Sequence, residues 1–112
     1  MEKVLKSVRT EGAVTIAVPS GEVDLQRSPD MHRELQQVCA RKPQKLVVDL
    51  REVTYMDSSG VSTLVEVFRS MHAYGGALVL LAPTDRVRSM LEIAKLDQFF
   101  TILESEQEAL DS

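Results

Sequence analysis

Leu46-Val47-Val48-Asp49-Leu50-Arg51-Glu52-Val53-Thr54-Tyr55-Met56-Asp57-Ser58-Ser59-Gly60-Val61-Ser62-Thr63 is the stretch whose reading decides the fold. Its first part, Leu46-Val47-Val48 with Leu50, is a continuous apolar run rather than an alternating one, the pattern of a strand covered on both faces. It predicts a strand at the centre of a sheet. From Val61 the apolar residues recur at Val61, Leu64, Val65, Phe68 and Met71, a one-sided helical stripe that ends at Tyr74-Gly75-Gly76. Asp57-Ser58-Ser59-Gly60 is then a strand-to-helix connection. Free backbone N–H groups and the positive end of the helix dipole collect at such a point, which makes it a seat for an anion such as a phosphate.

Working outward toward the N-terminus, residues 3–9 and 13–18 flank the turn signal Thr10-Glu11-Gly12, and the second segment alternates Val14, Ile16, Val18 against Ala13, Thr15, Ala17. The pair reads as an antiparallel hairpin. Pro19-Ser20-Gly21 breaks the second strand, and Glu22-Val23-Asp24 begins a connection to a helix. That helix starts at Ser28-Pro29-Asp30, with a hydroxyl at the N-cap, proline at the first helical position and an acid in the first turn. Its stripe is Met31, Leu35, Val38 and Cys39, and it stops at Arg41-Lys42-Pro43, two cations at the negative end followed by a proline.

Toward the C-terminus, Ala77-Leu78-Val79-Leu80-Leu81 is a second continuous apolar run and predicts a second buried strand. Pro83-Thr84-Asp85 starts a helix with Val87, Met90, Leu91 and Ala94 on one face. Phe99 to Leu103 reads as a short last strand, and Ser105 with Glu108 as a capping box before a short acidic helix. The predicted order is ββαβαβαβα: an α/β domain over residues 1–112, its sheet mainly parallel with right-handed crossovers and an N-terminal antiparallel hairpin.

Composition narrows the function. The 112 residues suit one core, and 44% hydrophobic with 27% charged residues is ordinary for a globular chain. Thirteen Lys and Arg against 17 Asp and Glu give a net charge of -4 with no basic cluster, which argues against nucleic acid as a direct partner. The one cysteine, Cys39, excludes an intrachain disulfide and a thiolate metal cluster. The N-terminus lacks an apolar core of signal-peptide length, and no run approaches the ~18 apolar residues of a membrane span. A cytoplasmic protein without membrane insertion is expected.

Two readings of Ser58 and Ser59 compete. A serine before a helix is commonly an N-cap, worth about 0.5–2 kcal/mol, and Gly60 can serve tight packing. With two serines, however, one hydroxyl can cap while the other stays free to react, and Gly60 can let another protein's backbone approach. Asp57 likewise is either an acceptor for N–H groups at the helix start or part of a binding surface. Thr63, about one turn into the helix, either lines that surface or is solvated. A hydrolase fits poorly: Met56 stands where a Gly-x-Ser-x-Gly elbow needs its first glycine. Of the two histidines, His72 lies about 20 Å along the helix from Ser58 at a rise of about 1.5 Å per residue. His32 opens another helix, where a solvated or partner-facing role is the simpler reading. Clustered metal ligands are absent from the pattern.

Tyr55-Met56-Asp57-Ser58-Ser59-Gly60-Val61, the Gly21-Glu22-Val23-Asp24 turn, Gly75-Gly76 and the spacing of Pro83, Val87, Leu91 and Phe99 resemble the anti-sigma factor antagonist branch of the STAS domains, from about Val14 to Ile102. The resemblance implies a chain that binds, when unphosphorylated, an anti-sigma factor that is also a serine kinase, and so releases a sigma factor. It implies that the modified serine is the one directly after the aspartate, Ser58, and that a phosphatase reverses the modification. It brings Asp24 beside Asp57, Ser58, Ser59, Gly60 and Thr63 as one partner-binding surface. ATP would belong to the kinase, so no cofactor is expected here. The alternative within the resemblance is an unphosphorylated STAS subunit of a lipid-transport ABC complex or a sensory assembly. Two departures stand out. Lys95 occupies a position where the family carries glycine, so the third helix should end differently. Gln26-Arg27-Ser28-Pro29 replaces smaller residues in the loop after Asp24.

Overall fold

The structure is a computed structural model that describes residues 3–112. Its elements are β1 (Leu5–Glu11), β2 (Val14–Pro19), β3 (Gly21–Val23), α1 (Ser28–Cys39), β4 (Lys45–Asp49), β5 (Val53–Met56), α2 (Ser58–Ala73), β6 (Ala77–Leu81), α3 (Asp85–Ile93), β7 (Thr101–Leu103) and α4 (Glu106–Asp111). Five strands form one sheet in the order β1-β2-β4-β6-β7. β1 and β2 pair antiparallel, and the remaining pairs are parallel.

The two continuous apolar runs are central because each feeds two cores. Leu46 and Val48 of β4, Leu78 and Leu80 of β6 and Ala17 of β2 face the layer formed by α1, α2 and α3. Val47, Val79, Leu81, Ile16 and Val18 face the opposite side, where Ala109 of α4 packs on them. A strand with apolar partners on both faces has no polar side to show, so the period-two signal disappears. On α2 the buried positions are Gly60, Val61, Thr63, Leu64, Val67 and Met71. The predicted stripe is thus rotated slightly: Val65 is only half-buried and Val67 takes its place in the core.

Four local expectations need correction. The segment Gly21–Val23, expected to break the second strand and begin a connection, and Val53–Met56, for which no element was predicted, form a separate two-stranded parallel sheet. The N-cap of α1 is Arg27 rather than Ser28, and it makes no side-chain cap hydrogen bond. Arg41 and Lys42 lie beyond the last turn of α1, which holds no basic residue. Phe99 and Phe100 precede β7 rather than belong to it; Phe99 packs against Phe68 at 4.7 Å between ring centroids. Half of the predicted capping box forms: Ser105 Oγ accepts the Glu108 N–H at 3.1 Å, but the Glu108 carboxylate accepts the Ser105 hydroxyl at 3.1 Å rather than its backbone N–H.

Lys95 was expected to end α3 in its own way, yet it takes the left-handed conformation at φ 61°. The Lys95 N–H bonds the Glu92 carbonyl at 2.9 Å and the Leu96 N–H bonds Leu91 at 2.8 Å, a Schellman ending made without glycine. α2 ends the same way on Gly75, with Gly75 to His72 at 3.1 Å and Gly76 to Met71 at 2.8 Å.

Candidate functional site

The small β3-β5 sheet brings the two halves of the site together. Val23 pairs with Met56, so the residues that follow each strand, Asp24 and Asp57, leave the sheet side by side. The Asp57 N–H donates to the Val23 carbonyl at 3.1 Å, which ties the two loops directly. The Thr84 hydroxyl, at the N-cap of α3, donates to the Val53 carbonyl at 3.0 Å and fixes the other end of β5.

Asp57 is the N-cap of α2, in extended backbone conformation. Its Oδ1 accepts the N–H of Ser59 at 2.9 Å, the N–H of Gly60 at 3.3 Å and the Ser59 hydroxyl at 2.5 Å. These bonds hold its pKa below the ordinary 3.8, with the Ser59 hydroxyl the largest cause and the N–H groups of Ser59, Gly60 and Leu25 adding to it. Asp57 is therefore ionised at neutral pH. It also corrects the picture of an open anion seat, because the N–H groups of Ser59 and Gly60 already serve a carboxylate.

The two serines now separate. Ser59 is half-buried and its hydroxyl is committed to Asp57. Ser58, the first helical residue, is exposed, and among the described residues its hydroxyl makes no hydrogen bond. The expectation that a serine hydroxyl caps the helix is corrected: the cap is the Asp57 carboxylate, and the Ser59 hydroxyl donates to it.

Gly60 and Thr63 point inward. A Cβ on Gly60 would lie 2.5 Å from Met56 Cγ and 3.1 Å from Val23 Cγ1, so the missing side chain lets α2 sit on the small sheet. Another protein's backbone has no access there. Thr63 is buried and its hydroxyl donates to the Ser59 carbonyl at 3.1 Å, so it is neither solvated nor on the surface; it braces the first turn from below.

Asp24 organises the neighbouring loop. Its Oδ1 accepts the N–H groups of Gln26 and Arg27, both at 3.1 Å, and its carbonyl accepts the Ser28 N–H at 2.8 Å. Arg27, one of the departures noted in the sequence, reaches back to the carbonyls of Ser20 at 3.0 Å and Glu22 at 2.5 Å and clamps β3. Leu25 is left 76% exposed beside this turn, a large apolar side chain that residue type alone did not single out. His32 is exposed near the start of α1, and His72 stacks on Phe68 at the far end of α2, too far along the helix from Ser58 to serve it as a base. Among the described residues no group of three His, Cys, Asp or Glu is placed to hold a metal.

An exposed serine on a carboxylate-capped helix, carried by a mainly parallel sheet with an antiparallel hairpin, describes a small mixed-sheet α/β domain, and the chain belongs to the STAS domain family, whose profile matches residues 6–109. Its relatives are anti-sigma factor antagonists. It is 33% identical over 89 residues to the anti-sigma-B factor antagonist of Listeria monocytogenes, covering 80% of this chain and 78% of that one. The crystal structure of an anti-sigma factor antagonist from Mycobacterium paratuberculosis superposes with a TM-score of 0.85 at 25% identity, over 94% of this chain and 89% of that one. The Bacillus cell fate determinant SpoIIAA in its phosphorylated form shares the fold, with a TM-score of 0.71 at 20% identity over 94% and 96% of the chains. No helix among the described residues is long and apolar enough to cross a membrane.

Proposed function

We propose that this chain is a cytoplasmic anti-sigma factor antagonist that binds an anti-sigma factor with serine kinase activity, and that phosphorylation of Ser58 switches the binding off. The observation that carries this is the division of labour in the tetrad: Ser58 is exposed and unbonded while Ser59 is tied to Asp57. Leu25, Asp24, Asp57 and Ser58 form the partner-facing surface, with Ser59, Gly60 and Thr63 supporting it from within. A phosphoryl group on Ser58 adds about −1.5 to −2 charges at pH 7 beside an ionised carboxylate. The N–H groups of Ser59 and Gly60 are occupied, so the new charge stays at the surface and faces the partner. A partner fitted to a neutral hydroxyl is then repelled without rearrangement of the domain. A phosphatase restores the binding form, and the chain carries no cofactor of its own.

Three variants test this. Ser58→Ala should fold, bind the kinase partner and resist inactivation. Ser58→Glu should bind less well, though it imitates the phosphate only in part, having less charge and fewer acceptor oxygens. Ser59→Ala leaves both N–H bonds to Asp57 in place, so it should cost about 0.5–1.5 kcal/mol, the worth of one hydrogen bond, and still accept phosphate on Ser58. Peptide mapping of phosphate to Ser59, or equal partner affinity for Ser58→Ala and Ser58→Glu, refutes the assignment. No phosphorylation by any cognate kinase would favour the unphosphorylated STAS subunit of a transport or sensory assembly instead.

A further inference from the structure

A second surface lies away from Ser58, along the hairpin. β1 is the last strand of its sheet and pairs only with β2, so its outer edge carries donors and acceptors without strand partners. The edge has a defined start. The buried Glu34 carboxylate accepts the N–H of Val4 at 3.1 Å and of Leu5 at 2.8 Å, and the Val4 carbonyl accepts the Ser20 N–H at 3.0 Å. The free edge therefore begins after Leu5, at Lys6.

Between this edge and α1 runs a groove of about 410 Å³. Leu5, Val8 and Val38 supply its apolar lining, and Val8 is 40% exposed. Lys3, Lys6 and Arg41 supply cations from the chain before β1, from β1 and from the end of α1. Among the described residues Lys3 and Arg41 are in no ion pair, while Lys6 meets only the exposed Glu52 at 2.9 Å. Glu34, the acid in the groove, is occupied by two N–H groups. On the other side of β1, Arg9 is engaged by Glu11 at 3.5 Å and by Glu106 of α4 at 2.9 Å, so the cation there already has acidic partners.

We propose that this groove docks an extended acidic polypeptide segment of a partner, which adds as a strand to the edge of β1. Three cations gathered in a chain of net charge -4 ask for an anionic occupant. The unpaired strand edge asks for a backbone, and the apolar lining takes alternate side chains of an added strand. Cations on the strand alone would be ordinary protection of an edge; here two of the three come from outside it. The site is independent of the Ser58 surface.

The test is an NMR titration of the 15N-labelled chain with a capped octapeptide of alternating Val and Glu. Saturable amide shifts should be confined to Lys6–Glu11 and Gln37–Arg41. The Lys3→Glu, Arg41→Glu double variant should bind about tenfold more weakly, and the same peptide N-methylated at alternate residues should lose binding. Ser58→Glu should bind the peptide as the unaltered chain does. The proposal is overturned by absent or scattered shifts, by equal binding of a Val and Lys octapeptide or of the N-methylated peptide, by loss of binding in Ser58→Glu, or by the same shifts from oligothymidylate or phosphatidylserine vesicles.

Discussion

Lys95→Gly should stabilise the protein, and Gly75→Ala should destabilise it by a similar amount. Both residues sit at the same place in the same Schellman ending, Lys95 at φ 61° and Gly75 at φ 86°. A side chain in the left-handed region costs about 1–2 kcal/mol from the approach of Cβ to the following carbonyl. Glycine returns about 0.4–1 kcal/mol of this, because it gives the unfolded chain more freedom. The difference leaves a gain of about 0.5–1 kcal/mol for Lys95→Gly, or a rise of about 2–6 °C in Tm for a chain of this length. Packing does not confuse the comparison: Lys95 is exposed, and a Cβ on Gly75 would meet nothing within 4 Å. Calorimetry and urea unfolding of the two variants check it. A lower Tm for Lys95→Gly, or an unchanged one for Gly75→Ala, would refute the claim that backbone conformation dominates at these two helix ends.

Asp57→Asn should remain folded, since asparagine caps helices about as well as aspartate, but should change partner affinity or phosphorylation rate. Because the folded-state pKa of Asp57 is lowered, its stabilisation is present above 3.8 and is lost as pH falls through the folded value, so urea unfolding between pH 6 and 3 should show a shallower acid loss in Asp57→Asn than in the unaltered chain. Gly60→Ala should cost about 1–3 kcal/mol in overpacking against Met56 and Val23, only partly offset by about 1 kcal/mol of helix propensity, and a stability equal to the parent would show that the small sheet yields easily. Val48→Asp buries an unpaired charge at the fully buried centre of β4 and should abolish the cooperative thermal transition seen by circular dichroism.

What the sequence made legible follows from how local each cause is. β4 and β6 were readable because burial on both faces leaves an unbroken apolar run, and α2 because its stripe runs from Val61 to Met71 within a helix of sixteen residues. β3 and β5 were not, because strands of three and four residues carry too short a pattern and owe their existence to each other. Val53-Thr54-Tyr55-Met56 held the available signal, four residues that all favour or tolerate strand. Glu34 was invisible in the same way: a glutamate in a helix reads as solvated until the start of β1, about thirty residues earlier, supplies two N–H groups for it. Lys95 misled because residue type predicts left-handed conformation only statistically, while the Leu91 and Glu92 carbonyls impose it.

The tetrad shows why a candidate site is harder to read than the fold around it. Asp, Ser and Thr are all good N-caps, so Asp57, Ser58 and Ser59 were interchangeable on type, and only the chain path decides among them. β5 delivers Asp57 in extended conformation against Val23, which puts its carboxylate over the first turn of α2 and makes Ser59 its donor. Ser58 is turned outward by the same geometry. An open helix N-terminus would have drawn a phosphoryl group onto its N–H groups and softened the added charge by about 0.3–1 kcal/mol. If Ser58 is phosphorylated as proposed, Asp57 already occupies those N–H groups, so the phosphate gains little from the helix and should disturb it little. The cost of the added charge therefore falls on the complex rather than on the fold. That predicts a small change in Tm for Ser58→Glu beside a large change in partner affinity, and a large loss of Tm with unchanged affinity would place the switch in the domain's stability instead.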